Sequence, residues 1–174
     1  MIDLDSLLRV PYGLAVVCSG DKQYGNGFIA TVVFQITAEP VRFGVSCNKD
    51  NHTAELIKQK GVFSISLLPE NTSVDVIRTF GYKSGKDLQN KMEQKKIKHG
   101  YSDVPVFMDN VVSYMTCKLE QTVDVGTHLI FIGEVMEAEE VNSQAEVMTY
   151  AHYQKVMKGK SPKNAPTYIN KSKK

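Results

Sequence analysis

The sequence has no tryptophan, and its three cysteines never occur in a CxxC spacing. Cys18, Cys47 and Cys117 are far apart, and each lies in an apolar run typical of a β-strand. Zinc ribbons, iron–sulfur clusters and thioredoxin-type redox sites need cysteines at short, fixed spacings, so these classes are disfavoured. We predict three reduced core thiols. The four histidines form no HxH or HxxxH pair, so no metal site is predicted either.

Long apolar runs are also absent, and none approaches the roughly 20 residues that a membrane helix requires. The amino-terminal MIDLDSLLRV lacks the pattern of a secretory signal, so we expect a cytoplasmic protein without a membrane partner. A chain of 174 residues with 42% hydrophobic residues is long enough to build one full core. With 23% charged residues and a net charge of +2, neither wholesale disorder nor a nucleic-acid partner is predicted.

The motifs of several common enzyme classes are missing. No GxGxxG, GxxxxGK or GxSxG occurs, and strands and helices do not alternate strictly. Doubly wound dinucleotide-binding sheets, P-loop hydrolases and α/β-hydrolases are therefore disfavoured. GNGF at 25–28 contains only a lone GxG, which we interpret as a hairpin turn.

Basic residues are concentrated near the end of the sequence. Residues 158–174 hold six lysines and no acidic residue, so the preceding part is net acidic. Two prolines and scattered Ser and Asn predict little regular structure there. We expect one domain over residues 1–157, followed by a basic, flexible tail over 158–174.

Hydrophobic periodicity predicts a chain of mainly β-structure. Strands are predicted over 12–19, 25–37, 41–47, 62–68, 111–125 and 128–141. Short amphipathic helices are predicted over 51–61, 73–82 and 146–158, and a polar surface excursion over 83–104. Gly133 lies in the middle of a long strand, where glycine commonly marks a bulge. Short links between successive strands favour antiparallel pairing, so the predicted fold class is α+β, mainly β, with a small antiparallel barrel.

The segment 47–53 joins a strand to the first predicted helix. A helix start presents backbone N–H groups and the positive end of the helix dipole, which suit a phosphate monoester. Asp50 would oppose an anion unless its side chain caps the helix or turns outward. The alternative is a capped helix start that binds nothing. The candidate donors are Asn48, Lys49, Asn51, His52 and Thr53.

Two further stretches combine apolar surface with polar groups. Around Ala30 and Thr31, a small residue and a hydroxyl could border a flat heteroaromatic ligand, although an ordinary barrel strand has the same pattern. His128 follows a glycine turn and precedes an apolar strand. It could be a structural histidine, a general acid or a donor to a bound ring.

Together these stretches resemble the flavin reductase-like, FMN-binding split-barrel family, in its flavoredoxin and high-molecular-weight rubredoxin reductase-module branch. The similarity covers nearly the whole chain, and the order and spacing of its pieces make it specific. The matching pieces are YGLAVV, GFIATVVFQITAEP, VSCNKDNHTAELIKQKGVFSISLL, the stretch from Phe80 to Asp87, VDVGTHLIFIGEV and YAHY…KGKSPKNAPTY.

The resemblance implies a split β-barrel that binds FMN, with FAD as the alternative flavin. It implies that Ala30, Thr31 and Val32 border the isoalloxazine, with Gln35 as a further candidate. The residues that would hold the ribityl phosphate are Asn48, Lys49, Asn51, His52 and Thr53. Ser84, Gly85 and Lys91 would contact the flavin from a lid or a partner subunit. His128 would lie near the flavin and the nicotinamide, as the candidate catalytic residue.

The resemblance further implies an oxidoreductase that moves electrons from NADH or NADPH through flavin to an acceptor. The alternative is an FMN-binding electron-transfer protein with no NAD(P)H oxidation of its own. A homodimer is implied as well. Larger relatives continue into a rubredoxin module after a similar PTY segment, whereas this sequence has no CxxC, so we expect a separate rubredoxin-like or monooxygenase acceptor. A flavin-free binding barrel is the third interpretation.

Overall fold

The computed structural model describes residues 2–3, 6–83 and 91–169. Strands are the main regular element of the described residues, with three short α-helices and two 3₁₀ turns. The strands are β1 (Ala15–Gly20), β2 (Gly25–Ala30), β3 (Val33–Ala38), β4 (Val41–Asn48), β5 (Val62–Leu67), β6 (Ile97–His99), β7 (Pro105–Phe107), β8 (Ser113–Asp124) and β9 (His128–Glu140). The helices are α1 (His52–Lys60), α2 (Val74–Gly81) and α3 (Tyr150–Lys155), and the 3₁₀ turns are Ser6–Arg9 and Tyr101–Asp103.

Seven strands form one antiparallel sheet in the order β2-β1-β5-β8-β9-β4-β3, and β6 pairs with β7. The predicted α+β, mainly β, antiparallel class is confirmed. Strand β1 is buried on both faces, because its alternate residues belong to two different clusters. Val17 packs inside the barrel with Phe63 and Phe131, while Val16 packs outward against α2 and α3.

The long hairpin β8–β9 bends where a bulge was predicted. Its register shifts between Leu119 and Gln121, opposite Gly133. A Cβ on Gly133 would lie 2.7 Å from the Phe63 ring and 2.9 Å from the Lys118 carbonyl oxygen. The absence of a side chain therefore lets Phe63 pack directly against the backbone of β9.

The strand predicted over 25–37 is two strands. The chain bends at Thr31 and Val32, so β2 pairs with β1 while β3 pairs with β4 at the other end of the sheet. This bend places Thr31 at the opening of the barrel. The turn predicted at GNGF was also wrong, because Gly25 already pairs with Gly20. The turn lies earlier, where the Asp21 carboxylate accepts hydrogen bonds from the Gln23 and Tyr24 backbone amides at 2.8 and 3.0 Å.

Helix α3 is shorter than predicted because the residues before it are in extended pairing. Val147 forms a bridge with Pro69, and the Met148 amide donates to the Leu68 carbonyl at 2.8 Å. The polar excursion contains β6, which had no strong strand pattern. All three cysteines are buried and unbridged, as predicted. Within the described ranges, no helix has the length and apolar character needed to cross a bilayer.

Candidate functional site

A cleft of about 220 Å³ opens where β2 and β4 end and α1 begins. It is lined by the ends of both strands, the start of α1, the end of α2 and a segment that follows α3. Among the described residues, the candidate ligands that line it are Ala30, Thr31, Asn48, Asn51, His52 and Lys91. Asp50, the carboxylate that would oppose an anion, lines it as well and does not cap the helix. A second cavity of about 670 Å³ adjoins the cleft, and Lys49 and His128 line that one.

The start of α1 forms a tight corner that is built from its own side chains. The Asn51 side chain caps the helix by accepting the Thr53 amide at 2.9 Å. The Asn48 carboxamide oxygen accepts the Asp50 amide at the same distance. Both amides are therefore satisfied within the corner. An anion would have to rely on side chains and on the helix dipole more than on free N–H groups.

Three of the five candidate phosphate ligands line the cleft, and the other two lie elsewhere. Asn48, Asn51 and His52 line the cleft. Thr53 is fully buried and its hydroxyl is 3.5 Å from the Asn26 carboxamide oxygen, so its side chain faces the core rather than the cleft. Lys49 forms an ion pair with Asp124 at 2.6 Å and lines the second cavity.

The end of β2 and the bend after it contribute a small side chain and a hydroxyl to the cleft. Ala30 is 2% exposed and Thr31 is 9% exposed, and both line the cleft. Val32 and Gln35 are not among the described lining residues. The Gln35 carboxamide donates to the Thr37 carbonyl on the exposed strand β3, so it points away from this site.

Lys91 brings a buried cation to the cleft. It is 3% exposed, and its ammonium donates to the Gly27 carbonyl at 3.1 Å. Within the described residues, no carboxylate lies at ion-pair distance from this ammonium. Burial disfavours the charged form and lowers the pKa of Lys91 from 10.5 to about 8. An anionic ligand in the cleft would stabilise the charged form of this lysine.

The segment over residues 160–168, which we call the strap, runs along the cleft. The strap belongs to the basic tail that was expected over 158–174, of which the structure describes residues up to 169. Thr167 lies 3.3 Å from Thr31, hydroxyl oxygen to hydroxyl oxygen. The Tyr82 hydroxyl donates to the Lys160 carbonyl. Asn164 lines both cavities, so the strap lies at their common boundary.

His128 begins β9 and lies beside the strap rather than in the cleft. Its Nε2 is 3.1 Å from the Asn164 carbonyl oxygen, and its Nδ1 is 2.9 Å from the Thr127 hydroxyl. Ser84 and Gly85 lie outside the described residues. No cluster of metal-ligating side chains occurs in the described part of the chain.

Sequence reasoning missed several lining residues, including Phe28, Ser46, Tyr82 and Asn164. Ser46 and Phe28 lie on strands that had been assigned, but alternation alone does not show which strand end opens into a cleft. The strap lies within the KGKSPKNAPTY stretch at 158–168, and this was the available signal that the segment has a structural role.

Comparison with known proteins shows to which family the chain belongs. Residues 7–159 match the family described as flavin reductase like domain. The chain belongs to the flavin reductase-like family. It is 36% identical to a ferric-chelate reductase (NAD(P)H) of Archaeoglobus fulgidus over 168 residues, covering 97% of this chain and 98% of that protein. It is 40% identical to a high molecular weight rubredoxin of Moorella thermoacetica over 167 residues, covering 96% and 72%.

The fold comparison agrees with this family. A crystal structure of an FMN-binding protein from Thermus thermophilus superimposes with a TM-score of 0.68 and 25% identity, covering 76% of this chain and 72% of that one. The predicted split-barrel fold and the predicted family are confirmed, and with them a flavin reductase type of oxidoreductase function.

Proposed function

We propose that this flavin reductase-like protein binds FMN, or alternatively FAD, and transfers electrons from NADH or NADPH through the flavin to an acceptor. The observation that carries the proposal is the cleft itself. It joins a small apolar strand end at Ala30 to a polar corner at Asn48, Asn51 and His52, and the buried Lys91 lines it as well. A flat ring attached to an anionic tail requires this combination.

The donor set of the cleft suits FMN. Asn48, Asn51 and His52 would hold the phosphate, with Lys91 supplying positive charge. Thr31 would place a hydroxyl at the ring edge. When bound, the flavin supplies the hydride-accepting chemistry, which no side chain of the protein can provide.

The residues around the cleft would act by positioning and by electrostatics. Ala30 has no side chain beyond Cβ, so a flat ring could approach the strand closely. Lys91 is held by the Gly27 carbonyl and is largely shielded from water, so its charge is weakly screened. Such a fixed positive charge favours an electron-rich or anionic ligand without any rearrangement of the protein.

The test is an anaerobic mixture of the purified protein, FMN and NADH or NADPH, followed by flavin absorbance near 450 nm. We expect bleaching much faster than without the protein, and the faster nucleotide identifies the preferred reductant. Tight flavin binding without bleaching would contradict the reductase function and identify an FMN-binding electron carrier. No flavin binding at all would contradict both functions.

We infer a separate acceptor protein or metal complex for the electrons. The relative named high molecular weight rubredoxin supports a rubredoxin-like acceptor. A monooxygenase component that receives reduced flavin is the other acceptor class that the family resemblance implies. Stopped-flow mixing of the reduced protein with a rubredoxin distinguishes them. Reoxidation that depends on rubredoxin concentration supports direct transfer, whereas transfer through free flavin stops when a flavin trap is added.

We also infer a homodimer. The hairpin β3–β4 exposes Phe34, Ile36 and Val41 at 43%, 40% and 38%, and β3 is the edge strand of the sheet. Apolar side chains along an edge commonly mark an association surface. Ile36→Lys should convert the dimer into a monomer in sedimentation velocity. The control Val74→Lys, at a residue 60% exposed on α2, should not. A monomeric wild type would contradict the inference.

A further inference from the structure

The strap is folded against the barrel rather than trailing from it. Its backbone makes two turns, in which the Ala165 amide donates to the Pro162 carbonyl and the Tyr168 amide to the Ala165 carbonyl, each at 3.0 Å. Asn164, Ala165 and Pro166 line the cleft on one side and the second cavity on the other. The strap is therefore part of the boundary that these two spaces share, together with Ser46, Asn48 and Asp50.

On the side of α2 and α3, the strap is attached through hydroxyl groups. Tyr82 and Tyr153 both donate to the carbonyl of Lys160, and the Ser161 hydroxyl bonds to that of Tyr150. Ser161 also lies 3.1 Å from Thr167, oxygen to oxygen. This end is consequently held by three tyrosines, of which Tyr150 and Tyr153 belong to the packed layer outside the barrel and Tyr82 is half exposed.

On the side of β9, the strap is held by His128. The Asn164 carbonyl can only accept a hydrogen bond, so the Nε2 that lies 3.1 Å from it must carry the proton. In a neutral ring, Nδ1 then accepts, and the Thr127 hydroxyl at 2.9 Å supplies the donor. Both ring nitrogens of His128 are engaged by the protein. A general acid or a donor to a bound ring would need one of them free.

We propose that His128 is a positioning residue that clamps the strap across the cleft through the carbonyl of Asn164, and that it does not act on the reacting atoms. The proposal rests on the proposed function only in naming the flavin cleft as the space that the strap borders. It replaces the sequence-based expectation that His128 is catalytic. Loss of the clamp should loosen the strap and weaken ligand binding, while the reaction rate at saturating substrate stays nearly unchanged.

Two substitutions distinguish the roles of the two ring nitrogens of His128. The side-chain amide nitrogen of glutamine reaches about as far as Nε2, whereas that of asparagine reaches only as far as Nδ1. His128→Gln should therefore restore the bond to Asn164, and His128→Asn should restore only a contact with Thr127. Neither side chain can transfer a proton at neutral pH.

The primary experiment is limited trypsin digestion of the flavin-free protein, with the peptides quantified by mass spectrometry. Cleavage after Lys160 and Lys163 reports opening of the strap, and cleavage after Lys60 at the end of α1 reports loosening of the barrel. We expect strap cleavage to rise about three- to tenfold in His128→Ala and His128→Asn, the scale of one hydrogen bond. His128→Gln should stay within about twofold of the wild type.

This readout does not require flavin, so it can fail independently of the proposed function. Equal strap cleavage in the wild type and His128→Ala would overturn the clamp. An equal rise after Lys60 would also overturn it, because the histidine would then be supporting the barrel. Failure of His128→Gln to restore slow cleavage would overturn the assignment of the bond to Nε2.

The second readout is NAD(P)H-dependent flavin reduction by the same variants. We expect His128→Ala and His128→Asn to raise the KM for the flavin several-fold, with kcat within about twofold of the wild type. His128→Gln should restore the KM for the flavin. An equal loss of kcat in all three variants would overturn the proposal, because that result requires the imidazole at the reacting atoms.

Discussion

The Tyr24 hydroxyl lies 2.9 Å from Nε2 of His52, so the turn between β1 and β2 holds the first side chain of α1 at the cleft. The two rings also meet edge to face, with centroids 6.0 Å apart. A residue outside the candidate phosphate corner thus fixes the orientation of a residue inside it.

Tyr24→Phe should weaken FMN binding about two- to fivefold, because it removes one hydrogen bond and keeps the ring contact. Quenching of flavin fluorescence measures the dissociation constant. Tyr101→Phe, in the 3₁₀ turn Tyr101–Asp103, is the matched control and should leave it unchanged. An unchanged constant in Tyr24→Phe would mean that His52 does not depend on this tether to reach the ligand.

Asn51→Asp separates the capping role of this residue from its proposed role at the phosphate. Aspartate caps helices about as well as asparagine, so the melting temperature should stay close to that of the wild type. Its negative charge should lower FMN affinity by at least about tenfold, given the cost of like charges at short range. Ser73→Asp, which changes the cap of α2 in the same way, should not alter FMN affinity. Equal FMN affinity in Asn51→Asp and the wild type would place the phosphate elsewhere.

Lys91→Met should reduce FMN affinity about tenfold or more at pH 7, because a charge-assisted contact is lost. The variant should melt no lower than the wild type, since a buried ammonium without a carboxylate partner in the described residues is removed. Lys58→Met, an exposed change on α1, is the charge control. A variant that melts lower and binds FMN normally would contradict both expectations.

The pH dependence of the same lysine has a definite sign. Its pKa in the flavin-free protein is lowered from 10.5 to about 8, so above pH 8 the folded protein loses a proton that the unfolded chain keeps up to 10.5. On this account the free energy of unfolding rises with pH across that window. FMN affinity should fall over the same window, because binding must restore the charge. Lys91→Met should show neither trend in parallel urea and FMN titrations.

Gly133→Ala should destabilise the barrel by about 1–3 kcal/mol, because its Cβ would overlap the Phe63 ring. Urea denaturation followed by circular dichroism gives the free energy of unfolding. Gly13→Ala is the control, since its Cβ would meet only Val147 at an ordinary 3.9 Å. Equal stability in both variants would show that the Phe63 ring is free to move aside.

Local patterns were sufficient for much of the fold. Alternation located most strands of the main sheet, and the polar residues at 50–53 with Gly61 at the other end located α1. The structure then shows that Asn51 is the residue that caps it. The corner could be predicted because its parts are adjacent in sequence. The bend at Thr31 could not, because the run from Gly25 to Thr37 is apolar and β-branched with no turn residue at its centre. Its division is set by strands β1 and β4, which pair with its two halves.

The remaining parts of the site depend on distant partners. Lys91 lies in a polar, lysine-rich stretch typical of a solvated surface, and only packing against the Gly27 carbonyl makes it a buried cation. The strap is held by hydroxyl groups of Tyr82, Tyr150 and Thr31, which have no common period in the sequence. Composition correctly described the strap as irregular but could not show that it is attached.

The most direct test of the account compares FMN with riboflavin, which has the same ring and lacks the phosphate. Isothermal titration at pH 7 should show FMN binding at least about tenfold more tightly than riboflavin to the wild type, because we propose that Asn48, Asn51, His52 and Lys91 hold the phosphate. The difference should shrink in Asn51→Asp. Equal affinities of the wild type for the two flavins would contradict the assignment of this corner as the phosphate site.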